Sequence, residues 1–515
     1  MLRSIIEDYL MSIRELQFFL PFRHLLEAKL YYDIHLVHGS TEFGKDFIAK
    51  KREGDAVIQY SFQIKVGDVK LSKFRTEVQP QLLEAYTNKL AHPNFDDGLE
   101  YRVIFVTTGN VLQPATIDFQ EFNKFLKSKL NVHEVEVWEK DRLISEFITI
   151  GLEPFFNIHK SPTLIGSFFN FYSKITNNQS IDFLAIESYS RHWLDLDWKR
   201  IENRLQIFFE AYFFSKLFFE RKRHYEAVLM LCALIRCLVK NRVYQDYQFL
   251  VAEHINEILE SFFQKFDDYN NNLSILESEC RGFFSIFYYP ANCLKSFELF
   301  SLYILTNDHY NEKVLETFAD FFKNEKGAEH PLSDNYAVSI VLISLALLKL
   351  KQVDDAKKFL NNVTIWLCNR YENLGLCGIG VTEEEEIEQL LSEYLTGYTF
   401  SNKRTSFIAN IILDLCYLIG DGGLYADIAN ELKAVSIIPE FYHVLDFDSL
   451  FTYDHPAILS QHDSEFSLEL KDNYSPMIEY ERRESKLKIA GNEFLYLTIL
   501  LRDRYFPILM NKFIE

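Results

Sequence analysis

The chain has 515 residues, 48% of them hydrophobic and 25% charged, with 47 Phe and 29 Tyr. That length exceeds one hydrophobic core, and the composition excludes a disordered or collagen-like chain. The formal net charge of −20 argues against a general polyanion-binding surface, although its distribution matters more than its sum. Residues 1–150 hold 19 Lys and Arg against 22 Asp and Glu, a net of −3, which leaves −17 on the remainder. Gly and Pro number 18 and 12, too few for an all-β fold rich in tight turns. The longest apolar runs, SIVLISLALLKL (339–350) and FLYLTILL (494–501), fall short of the ~20 residues that span a bilayer. The N-terminal run MLRSIIEDYLMSIRELQFFL carries acids and lacks a small-residue cleavage site, so it does not read as a signal peptide. Seven cysteines, all beyond residue 230 and without a CxxC pair, read as reduced core thiols of a cytoplasmic protein rather than a structural zinc site.

The first 150 residues alternate strand and helix signals. A helix is expected over roughly 4–30 with a kink at Pro21, then strands at 34–39, 46–51 and 56–66, the last two joined by a turn at 52–55. In AVIQYSFQIKV (56–66), Tyr60, Phe62 and Ile64 share one face while Ser61, Gln63 and Lys65 share the other, because side chains alternate along a strand. A helix near 73–91, a buried strand YRVIFVTTG (101–109), an amphipathic helix over 113–130 and a final strand-helix pair over 133–148 complete a compact α/β module. Beyond about residue 155 the pattern is almost wholly helical. YAVSIVLISLALLKLKQVDDAKKFLNNVTIWLCNRYE (336–372) reads as two helices joined by a tight turn, similar to a tetratricopeptide unit, but no second copy recurs at a fixed period. The expected division is 1–152, an irregular helical array over 153–440 and a mixed or helical C-terminal cap over 441–515. In TEEEEIEQLL (382–391), Thr382 and Glu385 are spaced as a capping box. Gly420-Asp421-Gly422-Gly423 is a turn between helices, and neither a Walker motif nor a nucleophile elbow is present.

The stretch that carries candidate chemistry is GKDFIAKKREGDAVIQYSFQIK (44–65). Read as residues alone, it is either an ordinary charged, solvent-facing hairpin or a metal site. Asp46 stands at the mouth of one strand, and Gln63 and Lys65 project from one face of the next. A carboxylate oxygen with an amide oxygen makes a hard donor set suited to Mg²⁺ or Mn²⁺. A neighbouring ammonium can position a water or stabilise charge building on a phosphate. His24, His35, His38, His92 and His133 show no metal-ligand spacing and read as core or surface imidazoles.

Gly44-Lys45-Asp46 followed by Gln63-Ile64-Lys65 resembles the PD-(D/E)XK nuclease superfamily, specifically its Mrr-type branch, in which a G-x-D turn precedes a strand bearing Q-x-K. The order of elements after it, YRVIFVTTGN then a helix then VEVWEKDRLISEF, is similar as well, and the resemblance covers about residues 10–150. It implies a restriction-endonuclease-like fold in which Asp46 and Gln63 are metal ligands and Lys65 orients or activates the attacking water. A further acid from the first helix is often added in that family. Glu15 and Glu27 stand there, with Glu27 the preferred one, and Glu42 precedes the glycine by two residues. Gln63 in place of an acid removes one negative charge and weakens metal binding. The implied function is Mg²⁺-dependent endonucleolytic cleavage of DNA by an effector of bacterial anti-phage defence. The helical region would then serve homo-oligomerisation, sensing or docking of a separately encoded regulatory protein, with no membrane partner. The alternatives are a helical scaffold with a degenerate nuclease domain and an RNA-directed nuclease.

Overall fold

The computed structural model describes residues 2–37, 43–88, 92–96, 98–150, 162–266, 276, 285–307, 311–373, 382–397, 404–444, 458–462 and 492–502. The chain divides into two compact units, Met1–Gly166 with Asp197–Glu210, and Ser167–Leu196 with Ala211–Glu515.

The first unit is built on a mixed sheet. Helices α1 (Leu2–Ser12) and α2 (Glu15–Ala28) lead into β1 (Tyr32–Leu36), β2 (Phe47–Glu53) and β3 (Ala56–Lys65). A continuous helical run then ends in α3 (Gln79–Thr87), followed by β4 (Glu100–Thr107), α4 (Ala115–Phe125), β5 (Glu136–Trp138) and α5 (Lys140–Ile150). The single helix expected over 4–30 is thus two. Its break falls at residues 13–14, while Pro21 lies inside α2. The strands lie in the order β1-β2-β3-β4-β5. The first three pair antiparallel and β3-β4-β5 pair parallel.

Alternation along β3 places two unlike cores against the sheet. On one face Phe62 meets Phe22 of α2 at 5.4 Å between ring centroids, Trp138 at 5.9 Å and Tyr31 at 5.5 Å, with Phe47 5.8 Å from Phe22. These are edge-to-face contacts that the ring quadrupoles favour. On the other face Ser61 stands beside Val103 and Gln63 beside Phe105. That face packs against Phe74, Val78, Leu82 and Ala85 of the α3 run and against Phe119, Phe122 and Leu126 from the α4 side. Both faces of β3 are therefore covered, although one carries polar side chains. Gln59, Ser61 and Gln63 are each no more than 1% exposed. A solvent-facing hairpin is excluded by this burial.

The second unit is mostly helical. The unit expected at 336–372 appears as helices Ala337–Lys349 and Val353–Asn373, joined at Lys351 with φ of 61°. Three strands nevertheless occur beyond residue 155, where the sequence carries little strand signal. Thr405–Ser406, Ile438–Val444 and Ile458–His462 form a three-stranded sheet. Most of 441–515 lies outside the described residues. Among the described residues no helix is long and apolar enough to cross a membrane.

Candidate functional site

The turn before β2 is shaped by Gly44, whose φ is +68°. A Cβ there would stand 2.0 Å from the carbonyl oxygen of Gln81 on α3. Only glycine satisfies both the left-handed backbone and this contact. The turn delivers Asp46 to the start of β2, where its N–H donates to the carbonyl of Phe62 at 2.8 Å. The Asp46 carbonyl accepts from the Val37 N–H at 2.8 Å, so the backbone is held by strands on both sides.

The side chains of Asp46 and Gln63 meet. Oδ2 of Asp46 accepts from Nε2 of Gln63 at 2.9 Å and from the backbone N–H of Ile64 at 2.5 Å. Both residues are nearly fully buried, at 3% and 1% exposure. Oε1 of Gln63 is buried with no hydrogen-bond partner among the described residues. Lys65 ends the strand on the same face and is half-buried. The polar row continues away from this end. Ser61 Oγ is hydrogen-bonded to the Tyr101 hydroxyl at 2.6 Å, and that hydroxyl donates to the Ala85 carbonyl of α3. Oε1 of Gln59 accepts from the Asp96 N–H at 2.8 Å.

Three of the residues named from sequence, Asp46, Gln63 and Lys65, therefore share one polar face, and the first two are in direct contact. The first-helix acids are not brought to them. Helix α2 covers the opposite face through Phe22, and Glu27 is exposed there with its carboxylate bound to Arg23 and His24, each at 3.1 Å. Glu15 stands on the same helix. Glu42 lies outside the described residues.

Two side chains beside the turn were not singled out by sequence. Lys45 is fully buried. Its ammonium donates to the backbone carbonyls of Asn88 at 3.0 Å and Phe43 at 3.3 Å and sits 6.0 Å over the Phe95 ring. Burial pushes its pKa down to about 8, with the carboxylate of Glu84 opposing the shift. Gln81, whose backbone touches Gly44, has its Oε1 buried and unpartnered. Lys45 was legible only as the middle letter of the G-x-D turn, and Gln81 carried no motif.

Further along the same sheet, β1 and β2 carry a charged network. Lys50 donates to Asp33 at 2.8 Å, His35 lies 3.0 Å from the same carboxylate, and the His35 and His92 rings are 4.9 Å apart. Lys50 and then His35 hold the Asp33 carboxyl below the usual carboxylate range. His35 is thus a partly buried imidazole hydrogen-bonded to a carboxylate.

The donor set fits a hard divalent cation better than a transition metal. Among the described residues no three His, Cys, Asp or Glu side chains group to hold a metal ion. Mg²⁺, however, is commonly held by one or two carboxylates, with waters and substrate phosphates completing the shell. One carboxylate beside an orphaned buried amide oxygen meets that requirement. Compared with protein-family models, curated proteins and solved structures, the chain gives no match.

Proposed function

We propose that the first unit is a metal-dependent phosphodiesterase that cleaves DNA internally, with Asp46 and Gln63 holding Mg²⁺ or Mn²⁺ and Lys65 serving the attacking water. The observation that carries this reading is the buried Asp46–Gln63 contact, in which Gln63 retains an acceptor oxygen that nothing among the described residues satisfies. A buried acceptor without a donor is costly unless a ligand meets it. Bound there, the cation would supply Lewis acidity and offset phosphate charge. The residues' own contributions follow from their chemistry. Asp46 offers the negative charge that attracts the cation, and Gln63 offers a neutral oxygen on a strand fixed from both faces. Lys65 brings an ammonium to the strand end, where it stabilises charge developing on a phosphate oxygen and orients water by donating to it. The role of an anti-phage effector rests on the family resemblance alone, and oligomerisation or partner docking by the helical unit rests on its lack of catalytic signals.

The test is Mn²⁺- or Mg²⁺-dependent cleavage of supercoiled plasmid and of structured RNA by the full chain, by Asp46→Ala and by Lys65→Ala. Loss in both variants on DNA alone supports the reading, and loss on RNA alone redirects it to an RNA-specific nuclease. Equal cleavage by all three chains removes the assignment. A second reading is favoured by a specific observation: Asp46 also takes the Ile64 N–H just before the start of β2, a place in the ladder that a purely structural clamp would fill. On that reading the unit is a non-catalytic scaffold, and Asp46→Ala loses stability without any cleavage having been present.

A further inference from the structure

We infer that Gln81 of α3 is a third oxygen donor to the same cation site, acting directly or through a water, and that this site recognises a hydrated divalent cation from two elements rather than from the hairpin alone. The inference rests on the reading of Asp46 and Gln63 given above. Among the described residues, the glutamine carbonyl oxygens left buried without a partner are those of Gln63 and Gln81. They do not lie at unrelated places. Gln63 is hydrogen-bonded to Asp46, and Gln81 is pressed against Gly44, two residues before Asp46, so closely that a Cβ on Gly44 would fall 3.1 Å from the Gln81 Cα.

The turn is thus flanked by the Asp46 carboxylate, the Gln63 amide and the backbone of Gln81, and the side-chain oxygens of both glutamines have no donor. An isolated orphan of this kind is an ordinary packing cost. Two unpartnered acceptors, one on the amide bonded to the buried carboxylate and one on the residue packed against the same turn, are groups that a cation or its bound waters would satisfy. Glycine at position 44 is what permits this approach, because any side chain would push α3 and its glutamine away. Only one of the three oxygen groups is charged, so resting affinity should be low and should respond to added charge. Residues outside the immediate ligands that orient bound waters typically change metal affinity by about 10–100-fold when lost.

The experiment is Mn²⁺ binding to the full chain, followed by the loss of the free-ion paramagnetic resonance signal, for wild type, Gln81→Leu, Gln81→Glu and Asp46→Asn. Thermal unfolding of each chain is measured alongside. Gln81→Leu is expected to weaken Mn²⁺ binding about tenfold or more, and Gln81→Glu to tighten it. A purely structural role would not produce that gain. If both Gln81 variants bind as wild type while Asp46→Asn does not, the role of Gln81 is overturned and the Asp46–Gln63 site stands. If Asp46→Asn binds as wild type, or the wild-type chain takes up no Mn²⁺ at millimolar concentration, both readings fall. Should Gln81→Leu unfold, Gln81→Glu decides alone: unchanged or weaker binding overturns the inference.

Discussion

The two units meet their buried cations in different ways. In the helical unit buried cations are matched by buried anions: Arg236 with Glu187 at 2.6 Å, Arg370 with Glu393 at 2.6 Å and Arg502 with Glu298 at 3.0 Å. In the α/β unit Lys45 is answered by backbone carbonyls, and Asp46 accepts from an amide and a backbone N–H. A matched pair is complete in itself, so its role ends with holding helices together. A buried ammonium held by backbone carbonyls instead keeps a desolvation cost that no contacting carboxylate offsets, and perturbed groups of this kind gather at functional sites.

The contrast can be broken at several points. The largest effect is expected from Gly44→Ala, which combines a strained φ with a collision against the Gln81 carbonyl. Unfolding titrations should show a loss of more than about 3 kcal/mol, or no cooperative fold of the first unit. Comparable in size is Arg502→Met, which leaves Glu298 buried without its cation while also losing the bond to the Asn335 carbonyl. Denaturation should show a cost of about 3–5 kcal/mol, and restoring neutrality with Glu298→Gln in the same chain should recover part of it.

Lys45→Met probes the buried cation through pH. Because the folded pKa lies near 8 and the unfolded value near 10.5, the unfolded chain holds more protons between these values. Stability contributed at this position therefore rises with pH through that window, and it is lost as pH falls through 8. Measured as the difference between wild type and Lys45→Met, the gap should move in favour of wild type by about 3 kcal/mol at most. A flat difference would show that the ammonium is not desolvated. The smallest effect belongs to Thr382→Ala, which removes a capping box on Glu383–Thr396. A loss of about 1 kcal/mol in thermal unfolding is expected.

Local patterns were legible where a single element decides them. The alternation in AVIQYSFQIK marks β3 to within a residue, and Thr382 with Glu385 forms the capping box that their spacing indicates. The convergence of Asp46 with the Gln63 face was legible in outline only: the expected turn at 52–55 opposes Asp46 to Ser61, whereas the hairpin turns one residue later, with Glu53 opposite Ala56, and brings Asp46 to Gln63. What covers each face was not. A period of two says that Ser61, Gln63 and Lys65 share a side, but it does not say that α3 lies over them. Burial of the polar row, the partners of Lys45 and the approach of Gln81 all depend on that helix. The assignment of Glu27 fails to meet the site for the same reason, since sequence did not show that α2 sits on the aromatic side. The short strand Thr405–Ser406 adjoins Phe407–Ile419, whose helical signal is far stronger.

Gly44 and Lys45 are neighbours in the chain, yet they fasten α3 near its two ends. The first lets the Gln81 carbonyl rest on the turn, and the second reaches the Asn88 carbonyl just past the last helical turn. A two-residue clasp thus makes the helix and the Asp46 turn one mechanical piece. Separating α3 from the turn therefore requires both fastenings, at Gly44 and at Lys45, to be given up.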